Sequence, residues 1–202
     1  MRRKIFALLS VIFIFGTVGV SEAIDEKTLI AYFSLIDVVS EGADAVSGST
    51  PYIGNTETAA GQLQSLAGGE LFKITCEKVY PSLHVEASKI AKTEFDSDAR
   101  PNLTSHVKNM GQYDIVFLGF PIWWYREPML IRTFLEEYDF SGKTIIPFCT
   151  SMAVDVRQSA EDIRKLCPSA RVLNGIRLET EQRDFTPELS KWLESIGYTS
   201  GR

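Results

Sequence analysis

The 202-residue sequence holds two histidines (His84, His106) and three cysteines (Cys76, Cys149, Cys167). There is no CxxC pair and no metal-ligand spacing, which excludes a zinc ribbon or a thioredoxin-type motif. No internal repeat and no low-complexity linker divides the chain, so a single domain is expected. After residue 20 no apolar run is long enough to cross a membrane. An excess of positive charge is missing too: the net charge is −5. An acidic domain repels phosphate backbones, so nucleic acid is not an expected partner.

The long apolar run that does exist lies at the start. Met1-Arg-Arg-Lys4 is basic, Ile5 to Val20 is apolar, and Ser21-Glu22-Ala23 ends in small-x-small. This is the pattern of a secretory signal peptide. The expected organisation is a signal peptide over 1–23 and one domain over 24–202, periplasmic or secreted, with no membrane span after cleavage. Cleavage removes Arg2, Arg3, Lys4 and Glu22, which takes the net charge from −5 to −7. Export also places three thiols in an oxidising compartment.

Hydrophobic periodicity then sets the architecture. Strands are expected at 28–33, 70–75, 115–120, 144–149 and 171–178, and helices at 55–67, 85–95, from 127, 155–166 and 187–196. Pro128 suits the first turn of the third helix. Pro147, inside the fourth strand, is a blemish. Strands alternating with helices imply an α/β fold, a doubly wound five-stranded parallel sheet in the order 2-1-3-4-5. In that order Cys76 and Cys149 are three strand spacings apart, roughly 14 Å. A disulfide needs Cα atoms within about 7 Å. Cys167 falls at the opposite rim from Cys149, so three unpaired, mostly buried thiols are expected.

The most informative segment is Tyr113-Asp-Ile-Val-Phe-Leu-Gly-Phe-Pro121-Ile-Trp-Trp-Tyr125. It is a core strand stopped by Pro121, which has no N–H to donate. Trp123 and Trp124 follow at the carboxyl rim, where open α/β sheets bind ligands. Taken alone, the pair covers a core as readily as it walls a ligand. Two more loops converge on the same switch point. Ser34 through Gly54-Asn55-Thr56 leads into a helix N-terminus, whose N–H groups suit a phosphate. Thr150-Ser151-Met152 follows strand 4.

These motifs carry a resemblance. Tyr-Phe-Ser34 after strand 1, Gly54-Asn55-Thr56 at the helix and Gly-Phe-Pro121-Ile122-Trp123-Trp124 after strand 3 resemble the flavodoxin-like family, in its small branch. Ile145-Ile-Pro-Phe-Cys-Thr-Ser151 also matches, and the likeness covers roughly residues 28–178. The resemblance implies non-covalent FMN. By position, Ser34, Asn55 and Thr56, with Gly54, would hold its phosphate. Pro121, Ile122, Trp123 and Trp124 would line the isoalloxazine. Thr150 and Ser151 would meet the ring's polar edge, with Met152 beside it. No side chain is expected to act as nucleophile or general base.

The chain departs from the family twice. An insertion, 35–53, separates Ser34 from Asn55. Met152-Ala153-Val154 stand where relatives have glycines, so Cβ atoms there would push the flavin outward or block it, or Met152 would pack on the ring. Arg126 would pair with a negative flavin, a nicotinamide phosphate, Glu127 or Glu57, or stay solvated. Two functions remain open. One is an exported FMN redox protein, an electron carrier or a flavin-dependent reductase, serving a redox partner protein or a quinone. The other is a flavodoxin-like binding module that has lost FMN.

Overall fold

A computed structural model describes residues 27–35, 54–81, 84–181 and 183–198. The expected signal peptide and all of the insertion except Leu35 lie outside these residues. The elements in chain order are β1 (Thr28–Tyr32), α1 (Asn55–Ala67), β2 (Glu70–Lys73), α2 (His84–Asp96), a 3-10 turn (Met110–Gln112), β3 (Ile115–Pro121), α3 (Met129–Glu137), β4 (Thr144–Thr150), α4 (Arg157–Leu166), β5 (Arg171–Val172), β6 (Ile176–Leu178) and α5 (Thr186–Ser195). All strand pairs are parallel, in the order β2-β1-β3-β4 with β5 and β6 both on β4. The sheet therefore has five strand positions in the order 2-1-3-4-5, the flavodoxin-like α/β arrangement.

The period-2 side-chain alternation of strands divides the core into two. Ile30, Tyr32, Ile115, Phe117, Ile146 and Phe148 face α1 and α5. Leu29, Ala31, Phe33, Val116, Leu118, Phe120, Ile145 and Cys149 face α2, α3 and α4. Both faces are covered, which is why β3 and β4 read as unbroken apolar runs. Each fully buried ring such as Phe117 contributes roughly 1.5–3 kcal/mol by leaving water. Small side chains let α1 approach the sheet: Ala59, Ala60 and Ala67 lie on its buried face with Leu63.

Most element ends lie within one or two residues of the sequence expectation, and two departures have a clear physical cause. Helix α3 begins at Met129, with Pro128 in the extended N-cap position (φ −60°, ψ 146°) rather than inside the first turn. The fifth strand is split at residues 173–175. Lys143 and Ile145 carbonyls accept from Arg171 and Leu173, and Ser151 N–H donates to the Leu178 carbonyl. The odd-numbered backbone groups of β4 thus face the fifth strand, and Pro147 leaves a missing donor there. Gly175 lies against that point: a Cβ on it would come within 2.3 Å of the Pro147 carbonyl oxygen.

All three cysteines are free, with Cys149 and Cys167 buried and Cys76 half-buried. Burial pushes the Cys149 thiol up to about 12 and the Cys167 thiol up to about 11.

Candidate functional site

At the carboxyl rim, between β1 and β3, a cleft of about 700 Å³ opens. That is within the range of small-molecule sites, about 300–1,000 Å³. Its lining includes all eleven residues singled out from sequence: Ser34, Gly54, Asn55, Thr56, Pro121, Ile122, Trp123, Trp124, Thr150, Ser151 and Met152. Leu35, Ser88, Tyr125, Ala153, Val154 and Thr180 complete it.

One end is polar. Helix α1 starts at Asn55 behind the N-cap Gly54, with no side-chain cap bond. The first N–H groups of a helix have no intrahelical partner, so here they are available toward the cleft. Ser34 and Thr56 are buried beside them. Thr56 Oγ1 and Thr150 Oγ1 share a 2.8 Å hydrogen bond that ties α1 to the third loop. The Asn55 amide is turned toward the Thr180 carbonyl (3.1 Å). Glu57, in the first turn of α1, is paired with Lys73 at 3.1 Å. No Asp, Glu, Lys or Arg lines the cleft among the described residues.

The other end is apolar, and the two tryptophans have separate tasks. Trp123 is 4% exposed. Its ring packs edge-on against Phe33 (5.3 Å) and Tyr80 (4.8 Å), so it closes the core while its remaining edge reaches the cleft. Tyr80 in turn donates to the buried Glu94 (3.1 Å). Burial and the charge of Glu94 hold that phenol well above its ordinary range. Trp124 is 37% exposed and sits at the mouth.

The chain reverses at Trp124 and Tyr125, whose φ values are +44° and +69°. Trp123 and Arg126 close the turn with reciprocal backbone bonds of 2.8 and 3.0 Å. Two positive φ values in a two-residue turn define the mirror-image hairpin geometry, where Asn and Gly are favoured. An L-residue there costs roughly 1–2 kcal/mol.

The third loop reaches its shape without glycine. Ser151 Oγ accepts from the Val154 N–H (2.9 Å) and the Ala153 N–H (3.3 Å). Met152, Ala153 and Val154 are absent from the described residues of positive φ, so their Cβ atoms cause no backbone strain there. Met152 is 74% exposed at the mouth, and the cleft stays open beside it. Arg177 fastens this loop from β6 by donating to the Ser151 (3.0 Å) and Met152 (3.2 Å) carbonyls.

Arg126 pairs neither with Glu127 nor with Glu57. Its guanidinium donates to Asp162 of α4 (2.8 Å) and lies 4.3 Å over the Phe95 ring of α2. Glu127 is buried and is bound by Arg132 at 2.8 Å. Its desolvation outweighs that cation, so its carboxyl is held above the usual range. His84 is the first residue of α2, and its side chain lies outside the described ones.

The flavodoxin family profile matches residues 27–196. The chain belongs to the flavodoxin family. Among solved structures, this family member is similar to a candidate flavoprotein from Bacteroides eggerthii DSM 20697. The two share 30% identity over 86% of this chain and 99% of the other, with a TM-score of 0.69. A second candidate flavoprotein, from Bacteroides uniformis ATCC 8492, matches at 28% identity over 84% and 98%, with a TM-score of 0.65. A flavoprotein in complex with FMN from Lactobacillus acidophilus NCFM shares the fold at 20% identity over 83% and 98%, with a TM-score of 0.59. No curated protein matches the chain.

The cleft of this flavodoxin-family chain suits a mononucleotide with a flat ring. The uncapped start of α1 and two hydroxyls fit a phosphate, and neutral donors of this kind hold anions in α/β folds. Pro121, Ile122, Trp123 and Trp124 form an apolar wall, and residues 150–154 present hydroxyls and backbone on the facing side.

Proposed function

We propose that this chain is an exported FMN-binding redox protein that exchanges electrons with a protein partner or a quinone. The observation that carries the reading is the uncapped α1 N-terminus opening into the same cleft as the Trp123–Trp124 wall. Asn55 and Thr56 would hold the phosphate through their N–H groups, with Ser34 adding its hydroxyl. The wall would set the tilt of the ring, and the Thr150–Ser151 segment would meet its polar edge. Bound FMN would supply the redox chemistry, as the cofactor does in flavoproteins generally.

The mouth favours electron exchange over dinucleotide oxidation. Exposed Trp124, Tyr125 and Met152 offer an apolar rim; among the described residues no cationic side chain lines the cleft to meet a dinucleotide's phosphates, and the nearby Lys92 ammonium lies over the Trp124 ring at 5.4 Å. Export rests on the basic-apolar-small pattern of residues 1–23.

The test is a spectrum and a titration. The purified chain is expected to be yellow, or to quench FMN fluorescence on mixing. Trp124→Ala should weaken FMN, whereas Trp192→Phe should not, because Trp192 packs on Phe117 beneath α5. Colourless protein that leaves FMN fluorescence unchanged favours a binding module without FMN. Rapid NADPH turnover with a quinone would overturn the electron-exchange reading.

A further inference from the structure

The aromatic turn at the cleft mouth is in a conformation its own residues disfavour. Trp124 and Tyr125 both adopt positive φ, and neither is Gly, Asn or Asp. Something outside the turn must hold it. Trp123 contributes the buried end, locked by Phe33 and Tyr80. At the other end stands Arg126, whose side chain leads from the turn to both α2 and α4, whereas Trp124 itself meets only the Lys92 ammonium of α2 among the described residues of the neighbouring helices, 5.4 Å over its exposed ring. Arg126 reaches Asp162 on α4 (2.8 Å) and stacks on Phe95 of α2 (4.3 Å).

Asp162 is itself fixed. It is buried, and it also accepts from Arg132 (3.3 Å) and Lys165 (3.0 Å). Arg132 is bound in turn to the buried Glu127, the residue next to Arg126. A planar guanidinium suits this place, since it stacks on an aromatic face while keeping its donors for a carboxylate.

We propose that Arg126 is a positioning residue: clamped between Asp162 and Phe95, it holds the Trp124–Tyr125 turn closed and thereby aims Trp124 at the cleft. Arg126 itself is absent from the cleft lining, so any effect on the ligand must pass through the turn. The ligand half of this inference rests on FMN being the occupant. The turn half does not.

Two measurements on the full mature chain test it. The first is amide exchange in the absence of FMN, read at residues 123 and 126, whose N–H groups close the turn. Arg126→Ala should lower their protection about tenfold while β3 and β4 amides are unchanged, because only a local opening is released. Tyr125→Gly added to Arg126→Ala should restore protection, since glycine adopts positive φ without support. Unchanged protection in Arg126→Ala, or no recovery in the double variant, overturns the clamp.

The second measurement is a double-mutant cycle for FMN affinity. Arg126→Ala should weaken FMN about tenfold in the parent chain and leave it unchanged when Trp124 is already Ala. Additive losses would mean that Arg126 does not act through Trp124, and would overturn the proposal. A parent chain that binds no FMN would refute the cofactor reading while the exchange experiment still decides the clamp.

Discussion

Ser34 is buried at the polar end of the cleft, beside the free N–H groups of α1. If it holds a phosphate, Ser34→Ala removes one hydrogen bond to a charged group, worth about 1.5–3 kcal/mol. FMN affinity should then fall roughly ten- to hundredfold, while riboflavin, which lacks the phosphate, should bind as before. Equal losses for both ligands would refute the phosphate role. The thiols answer a separate question. Cys149 and Cys167 are buried with thiol values pushed up to about 12 and about 11, so almost no thiolate exists at pH 8. Neither should react with a disulfide reagent in the folded chain, and both should react in urea; fast labelling of either in the native protein would contradict this. The eleven residues named from sequence were legible because they follow strand ends, where a known topology brings loops together. Ser88 and Arg177 were not legible. A lone serine on a polar helix face and an arginine on an edge strand carry no spacing signal, and their contacts exist only after α2 and β6 have packed.

At the scale of elements, helix and strand order could be read because each core strand is apolar on both faces and is bounded by Gly, Pro or a helix signal. Two of the departures trace to prolines. Pro128 satisfies a first-turn preference, yet its ψ of 146° leaves it extended, and α3 starts at Met129, two residues later than expected. Pro147 keeps its place in β4, paired with Leu118 of β3, and shifts the disruption to the neighbouring strand instead. That consequence could not be seen without knowing which flank of β4 its nitrogen faces. Gly175 is the counterpart of Pro147. Gly175→Ala must displace the β4 backbone or the edge strand, because the added Cβ would be 2.3 Å from a carbonyl oxygen. A loss of about 1–3 kcal/mol is expected, the range for overpacking, read as a lower urea midpoint at unchanged slope. A change smaller than about 0.5 kcal/mol would show that the split strand accommodates a side chain.

For the whole molecule, the buried charges predict how stability follows pH. Glu127 is held above its unfolded value of about 4.3. The folded state therefore binds its proton more tightly, and stability falls as pH rises from about 4.3 through the raised folded value. Asp98, Asp139 and Asp184 are shifted the opposite way by hydrogen bonds from Arg100, Ser141 and Thr186. Their contribution is lost only as pH falls below about 3.9, the unfolded value. The two windows do not overlap. Glu127→Gln should thus gain relative to the parent chain as pH rises from 4.5 to 7 in urea titrations; a constant or widening deficit would contradict the assignment. The split edge strand has a consequence at this scale as well. An edge of parallel sheet normally offers a row of free backbone groups that a second chain can extend. Here β5 is two residues and β6 is three, with the Asn174 carbonyl between them taken by the Trp192 indole (3.4 Å). At the opposite edge, Thr104 and Asn102 bond back to Thr75 and Glu77 and close off the end of β2. Among the described residues neither flank presents a long continuous template, so at the fifth-strand edge the same proline and glycine that interrupt the sheet also guard concentrated molecules against joining strand to strand.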